Sequence, residues 1–163
     1  MARASLPFAC AAFLIGLLVS PASLAVPPDK KVKKNLDKLG LVYEIDADND
    51  FKLVMSDGVG RTQLVFVASR TFELGDMTVR EVFSPGGEVT DALAHGWSQD
   101  LLARNHDTII GSWSIQTLGE RQILLFSAKV PADLHRRDLQ NVIDVVAAEA
   151  DHIEEQLTGA DEF

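Results

Sequence analysis

Apolar positions along the chain change spacing from about four residues to two and back, and those changes outline the secondary structure. Val32, Leu36 and Leu39 recur at helical spacing within the basic segment Asp29 to Lys38, and Gly40 stands where such a helix would stop. From Leu41 the period becomes two. Leu41 to Ile45 and Phe51 to Met55 read as a β-hairpin around the turn Asp46 to Asp50, and Thr62 to Ala68 reads as a third strand after turns at Gly58 and Gly60. Met77 to Phe83 is a fourth strand or an extended connection, with Ser84-Pro85-Gly86-Gly87 ending it. Thr90 or Asp91 suits the cap of a helix running to about Arg104, with Leu93, Ala94, Trp97 and Leu101 on its apolar face. Asn105-His106-Asp107 breaks that pattern. Strands follow at Ile109 to Ile115 and Gln122 to Val130, joined by a turn at Thr117 to Glu120. The last helix is the clearest, because Leu139, Val142, Ile143, Val146, Ala150, Ile153 and Leu157 form one stripe closing at Gly159.

The expected fold class is therefore α+β, an antiparallel sheet of about five strands with helices packed on one face, in the order α-β-β-β-α-β-β-α. No internal repeat and no second domain is visible. Residues 26–163 read as a single domain, of a size that buries roughly two-thirds of its unfolded surface.

Residues 1–25 follow a different logic. Arg3 precedes an apolar run from Phe8 to Val19, Ser20-Pro21 ends it, and Ser23-Leu24-Ala25 supplies small residues at alternate positions. This is the layout of a secretory signal peptide cut after Ala25, and the expected location is exported, periplasmic or secreted. Cys10 sits near the start of the run, the wrong place for lipidation, and leaves with the signal. The remaining 138 residues contain no cysteine and no apolar stretch long enough to span a membrane.

The full chain carries 15 basic and 24 acidic residues, a net charge of -9, which argues against an electrostatic nucleic-acid binder. The charge is polarised. Lys30, Lys31, Lys33, Lys34 and Lys38 crowd the first helix, whereas Asp144 to Phe163 holds seven acids and no Lys or Arg. The two terminal helices are solvated charged faces, or attract each other or a charged partner.

Candidate chemistry is sparse. Asp46, Asp48 and Asp50 place carboxylates at alternate positions, as a calcium loop does at its first, third and fifth ligands. Phe51 stands where that loop needs glycine, and Asp57 where it uses glutamate. His95, His106, His135 and His152 show no two-ligand spacing, and without cysteine a structural zinc site lacks its commonest ligands. Asn105-His106-Asp107 has no nucleophilic Ser or Cys in a suitable context to partner it. Gly58, Gly60, Gly86 and Gly87 lack the lysine and following helix of a phosphate loop and read as turn glycines. Trp97 and Trp113 lie on apolar patterns and read as core, the other reading being a recognition patch. No catalytic residue and no cofactor is expected.

The element order, together with Leu101-Leu102-Ala103-Arg104-Asn105 followed by Ile110-Gly111-Ser112-Trp113, and Val130-Pro131-Ala132-Asp133 leading into the helix ending Leu157-Thr158-Gly159-Ala160-Asp161-Glu162-Phe163, resembles the YbjN family. These are bacterial proteins labelled sensory transduction regulators, with a fold like that of type III secretion chaperones. The resemblance covers most of residues 26–163. It implies a compact domain, homodimers included, that acts by binding protein, and it carries over no catalytic residue. The signal peptide departs from the cytoplasmic setting of secretion chaperones. The expected function is an exported, non-enzymatic protein- or peptide-binding module of regulatory or chaperone-like type, with the uncovered sheet face or an edge strand as its surface. The alternative is an exported small-ligand or calcium-binding protein using the acidic loop 46–50.

Overall fold

The computed structural model describes residues 26–56, 58, 60–89 and 91–163, with the backbone alone for 91–95. The proposed signal segment, Asp57, Thr90 and the side chains of Leu93, Ala94 and His95 lie outside the described residues. Nine elements follow in the order α1 (Lys30–Leu39), β1 (Tyr43–Ile45), β2 (Phe51–Ser56), β3 (Thr62–Leu74), β4 (Met77–Glu88), α2 (Asp91–Asp107), β5 (Ser112–Leu118), β6 (Arg121–Pro131) and α3 (Arg136–Thr158). The six strands form one antiparallel sheet in the order β1-β2-β3-β4-β6-β5.

The α+β class and the order of elements agree with the pattern of the sequence, with three corrections. The sheet has six strands, because Met77 to Phe83 is a full strand, β4. Ser84-Pro85-Gly86-Gly87 does not end it. These residues continue β4 against β6, with a bulge between Pro85 and Gly87, so Gly86 and Gly87 are strand residues and not turn residues. Third, α2 runs through Asn105-His106-Asp107, and β5 starts at Ser112 rather than Ile109, which is fully exposed. Both tryptophans take the expected core side, Trp113 buried within the cluster and Trp97, partly buried, packed against it.

Alternation assigns the two faces of the sheet. Phe51, Leu53, Val65, Val67, Val82, Trp113, Leu124, Phe126, Ala128 and Val130 point to one side. There they form a single core with Val32 and Leu36 of α1, Leu101 of α2 and the stripe Leu139 to Ile153 of α3. The buried apolar described residues of all three helices thus join one cluster on one face. At about 25 cal/mol per Å² of apolar surface, this cluster is the main stabilising term.

The ends of α1 show how local chemistry locates it. Asp29 Oδ1 accepts hydrogen bonds from the backbone N–H of Lys31 and Val32 at 2.7 and 2.9 Å, satisfying two of the unpaired donors of the first turn. Gly40 closes the helix at φ 71°, a conformation costly for any residue with a Cβ. The other oxygen of Asp29 receives Arg80 Nη2 at 2.6 Å. Arg80, 2% exposed, also donates to the carbonyl of Ala68. Ala68 lies in the register shift of β3 between Val67 and Thr71, so a buried guanidinium ties the helix start to an interrupted ladder. Burial pushes the Asp29 carboxyl up, but the Val32 N–H, Arg80 and the Lys31 N–H together outweigh it, and its pKa lies below the ordinary 3.8.

Candidate interaction surfaces

The acidic turn is an architectural joint. Asp46 Oδ1 accepts the N–H of Asp48 and of Asp50, both at 2.9 Å, and Asn49 takes a left-handed conformation at φ 67°. Asp50 Oδ1 accepts the N–H of Ser69 at 2.7 Å, and Ser69 Oγ donates to the carbonyl of Asn49 at 2.6 Å. The turn thereby holds the irregular segment of β3. Burial, reinforced by the charges of Asp46 and Asp48, keeps the Asp50 carboxyl above its usual range despite the Ser69 bond. Among the described residues, the acidic set whose ligand oxygens lie within 4.8 Å of one another is a different one, Asp151, Glu154 and Asp161.

That second cluster already has its cation. Arg61 donates from Nε to Asp151 at 2.7 Å, from Nη2 to Glu154 at 3.4 Å and from Nη1 to the carbonyl of Ala160 at 2.9 Å. Glu154 is fully buried and accepts the N–H of Glu162 and Phe163 at 2.6 and 3.1 Å. Burial raises its pKa, against the backbone donors and the Arg61 charge that lower it. Asp161 accepts the Thr62 N–H, and Leu64 N–H donates to the Phe163 carbonyl. The acid-rich end of α3 is thus a clamp that fastens residues 160–163 to the start of β3. The sequence shows its charges but not their partner, because Arg61 lies 90 residues from Asp151 along the chain.

Two of the histidines have local roles. His135 Nδ1 caps α3 at Arg137, and His152 pairs with Gln156 one turn on. Asn105 has a role the sequence did not suggest. Its Oδ1 accepts the Trp113 N–H at 2.6 Å and its amide donates to the Trp113 carbonyl at 3.3 Å, so a side chain of α2 replaces a neighbouring strand at one rung of β5.

The face of the sheet opposite the helices carries the other concentration of chemistry. Phe66 and Phe83 are cross-strand partners, stacked at 5.0 Å between centroids and 9° between planes. Neither belongs to the helix-side core. A groove of about 510 Å³ runs beside them, lined by Phe83, Phe72 and Leu125 with Asp48, Asp50 and Glu81 among its polar groups. Arg70 lies over the Phe72 ring at 5.2 Å. Aromatic residues flanked by carboxylates suit apolar side chains next to basic ones. Only the alternation of β3 and β4 hinted at this surface, since a half-polar strand leaves open which side its aromatic residues take.

The architecture is that of an α+β domain whose sheet is covered by helices on one face, and among solved structures it matches YbjN from E. coli, described as a candidate transcription regulator. The likeness covers 84% of this chain and 96% of that one, with a TM-score of 0.57 and 14% sequence identity. At that identity it establishes the shared fold and nothing further. No family model matches the chain, and no curated protein matches it.

Proposed function

We propose that the protein is an exported, non-enzymatic module that binds a protein or peptide on the sheet face opposite its helices, in a regulatory or chaperone-like capacity. The observation that carries this reading is the stacked Phe66–Phe83 pair beside a groove rimmed by Asp48, Asp50 and Glu81. Aromatic side chains outside the core are a common basis of recognition hot spots, and the carboxylates favour a segment with basic residues. Export rests on the N-terminal sequence, and a binding role is in keeping with the YbjN-like fold. Asp46 and Asp50 are spent on backbone N–H groups, which favours the peptide reading over the calcium one.

The test is crosslinking in the native host from a photoreactive residue at Phe83, with a second probe at the exposed Glu155 as control. One stoichiometric adduct from position 83, absent at 155 and lost in Phe66→Ser, supports the proposal. Adducts of equal strength at both positions, or none at 83, refute it. Fractionation tests export separately, with processed chain outside the cytoplasm as the expected result.

A further inference from the structure

We propose that β5 is a dimerisation edge, on which a second copy of this chain pairs its own β5 antiparallel about a twofold axis at Gln116. The edge borders the aromatic groove, which Gln116 also lines, but the pairing is argued from backbone groups that the groove does not use.

The argument starts from hydrogen-bond direction. Along a strand the N–H and C=O of one residue point to the same side, and those of the next residue to the other. Asn105 reaches both groups of Trp113 from outside the sheet, so Trp113, Ile115 and Thr117 turn their backbone groups away from β6. β5 is the last strand in the sheet order. Its outward rung at Trp113 is filled by Asn105, and among the described residues those at Ile115 and Thr117 form an open edge.

That edge is complementary to itself. With Ile115 opposite Thr117 of a second copy, each N–H meets a carbonyl, and symmetry doubles the pair to four hydrogen bonds. Shifting the register to place Ile115 opposite Ile115 sets Thr117 against Trp113, whose groups Asn105 already occupies. Shifting it the other way sets Ile115 against Gly119, which stands in the turn at φ 64°. The four-bond register alone uses all the open groups.

The side chains agree with this pairing. Ser112–Leu118 contains no charge and no proline, the features with which exposed edges usually discourage pairing. Ile115 and Leu118 are 54% and 52% exposed. Leu102, three residues before Asn105 on α2 and so on a neighbouring part of that helix's surface, is 68% exposed. Stable dimers bury on the order of 1,200 to 2,000 Å², so a joint of two open rungs per copy gives a concentration-dependent dimer.

The test uses the purified protein in sedimentation from about 1 to about 200 µM, a range that reads a mass-action equilibrium. The expected result is a shift from monomer to dimer that Thr117→Pro abolishes. Proline removes an outward N–H and no bond to β6, so its circular dichroism and melting should match the parent. Register is read in a Cys10→Ser background. Gln116→Cys faces its symmetry mate as a non-hydrogen-bonded pair and should oxidise to a crosslinked dimer about tenfold faster than Ser114→Cys, which faces Leu118. A monomer throughout, a dimer indifferent to Thr117→Pro, or equal crosslinking by the two cysteines overturns the proposal. The first of these leaves the edge to an extended segment of another protein.

Discussion

Alanine at Gly86 should cost stability through a single identifiable contact. A Cβ there would lie 2.7 Å from both Cη2 and Cζ3 of Trp113, with the Ala150 carbonyl at 3.8 Å behind it. These are atoms of a rigid indole ring, 6% exposed and tilted against Phe126 at 5.2 Å, so relief requires moving the ring or the β4 bulge. Overpacking of this kind typically costs about 1–3 kcal/mol, and a cost of about 2 kcal/mol lowers the melting temperature of a domain this size by about 6–10 °C. The indole is the obstacle, so Trp113→Phe, which removes its outer ring atoms, should relieve the clash while leaving a cavity that costs about 1–3 kcal/mol by itself. In that background Gly86→Ala should be nearly neutral. Urea unfolding of the four proteins, followed by far-ultraviolet circular dichroism, gives the coupling as a double-mutant cycle. Gly96 on α2 is the control, having no atom within 4 Å of an added Cβ, so alanine there should stabilise by about 0.5–1 kcal/mol. A neutral Gly86→Ala, or an equal loss with and without the indole, would refute the steric account.

Three further outcomes follow from the polar joints. Arg61→Ala leaves Glu154 buried without its guanidinium and should lower the urea midpoint, with faster hydrogen exchange at Glu162 and Phe163 as the local sign; unchanged exchange there would exclude the clamp. Asp29→Asn deprives Arg80 of its counter-charge and should cost about 1.5–3 kcal/mol at neutral pH. The folded pKa of Asp29 lies below 3.8, so its contribution is present above that value and is lost as pH falls through the folded pKa. The variant and parent should therefore converge in urea midpoint at the acid end, and a pH-independent gap would contradict the pairing. Finally, Asn105→Ala opens a third rung on β5 and should increase self-association while lowering thermal stability by about 1–3 kcal/mol; sedimentation alongside melting separates the two effects.

The helices and the inner strands were legible because each repeats a period. The stripe Leu139 to Leu157 predicts α3, and alternation in Phe51–Met55 and Thr62–Ala68 places β2 and β3. The errors lie where local composition and tertiary pairing disagree. Ser84-Pro85-Gly86-Gly87 has turn chemistry, yet β6 supplies a pairing partner and Trp113 needs the space above Gly86, so the strand persists through a bulge. The aspartates of 46–50 were visible as a motif, but their purpose depends on Ser69 and the register shift of β3, about 20 residues away. Asn105 stood out only as part of a polar cluster at the helix end, and neither it nor Arg61 gave a sign of its role, since a lone arginine or asparagine gains meaning only from what the fold brings to it.

Fastening α2 by an amide has a kinetic meaning. Among the described residues α2 buries Leu101 alone, whereas α3 buries eight, so α2 is the unit expected to detach at the lowest free energy. Each such detachment carries Asn105 away and lengthens the bare margin of the sheet from two rungs to three, while uncovering part of Trp113. The protein's shelf life in concentrated solution should then follow the opening frequency of this one helix, and a variant that tightens α2 should resist aggregation without any gain in global unfolding energy.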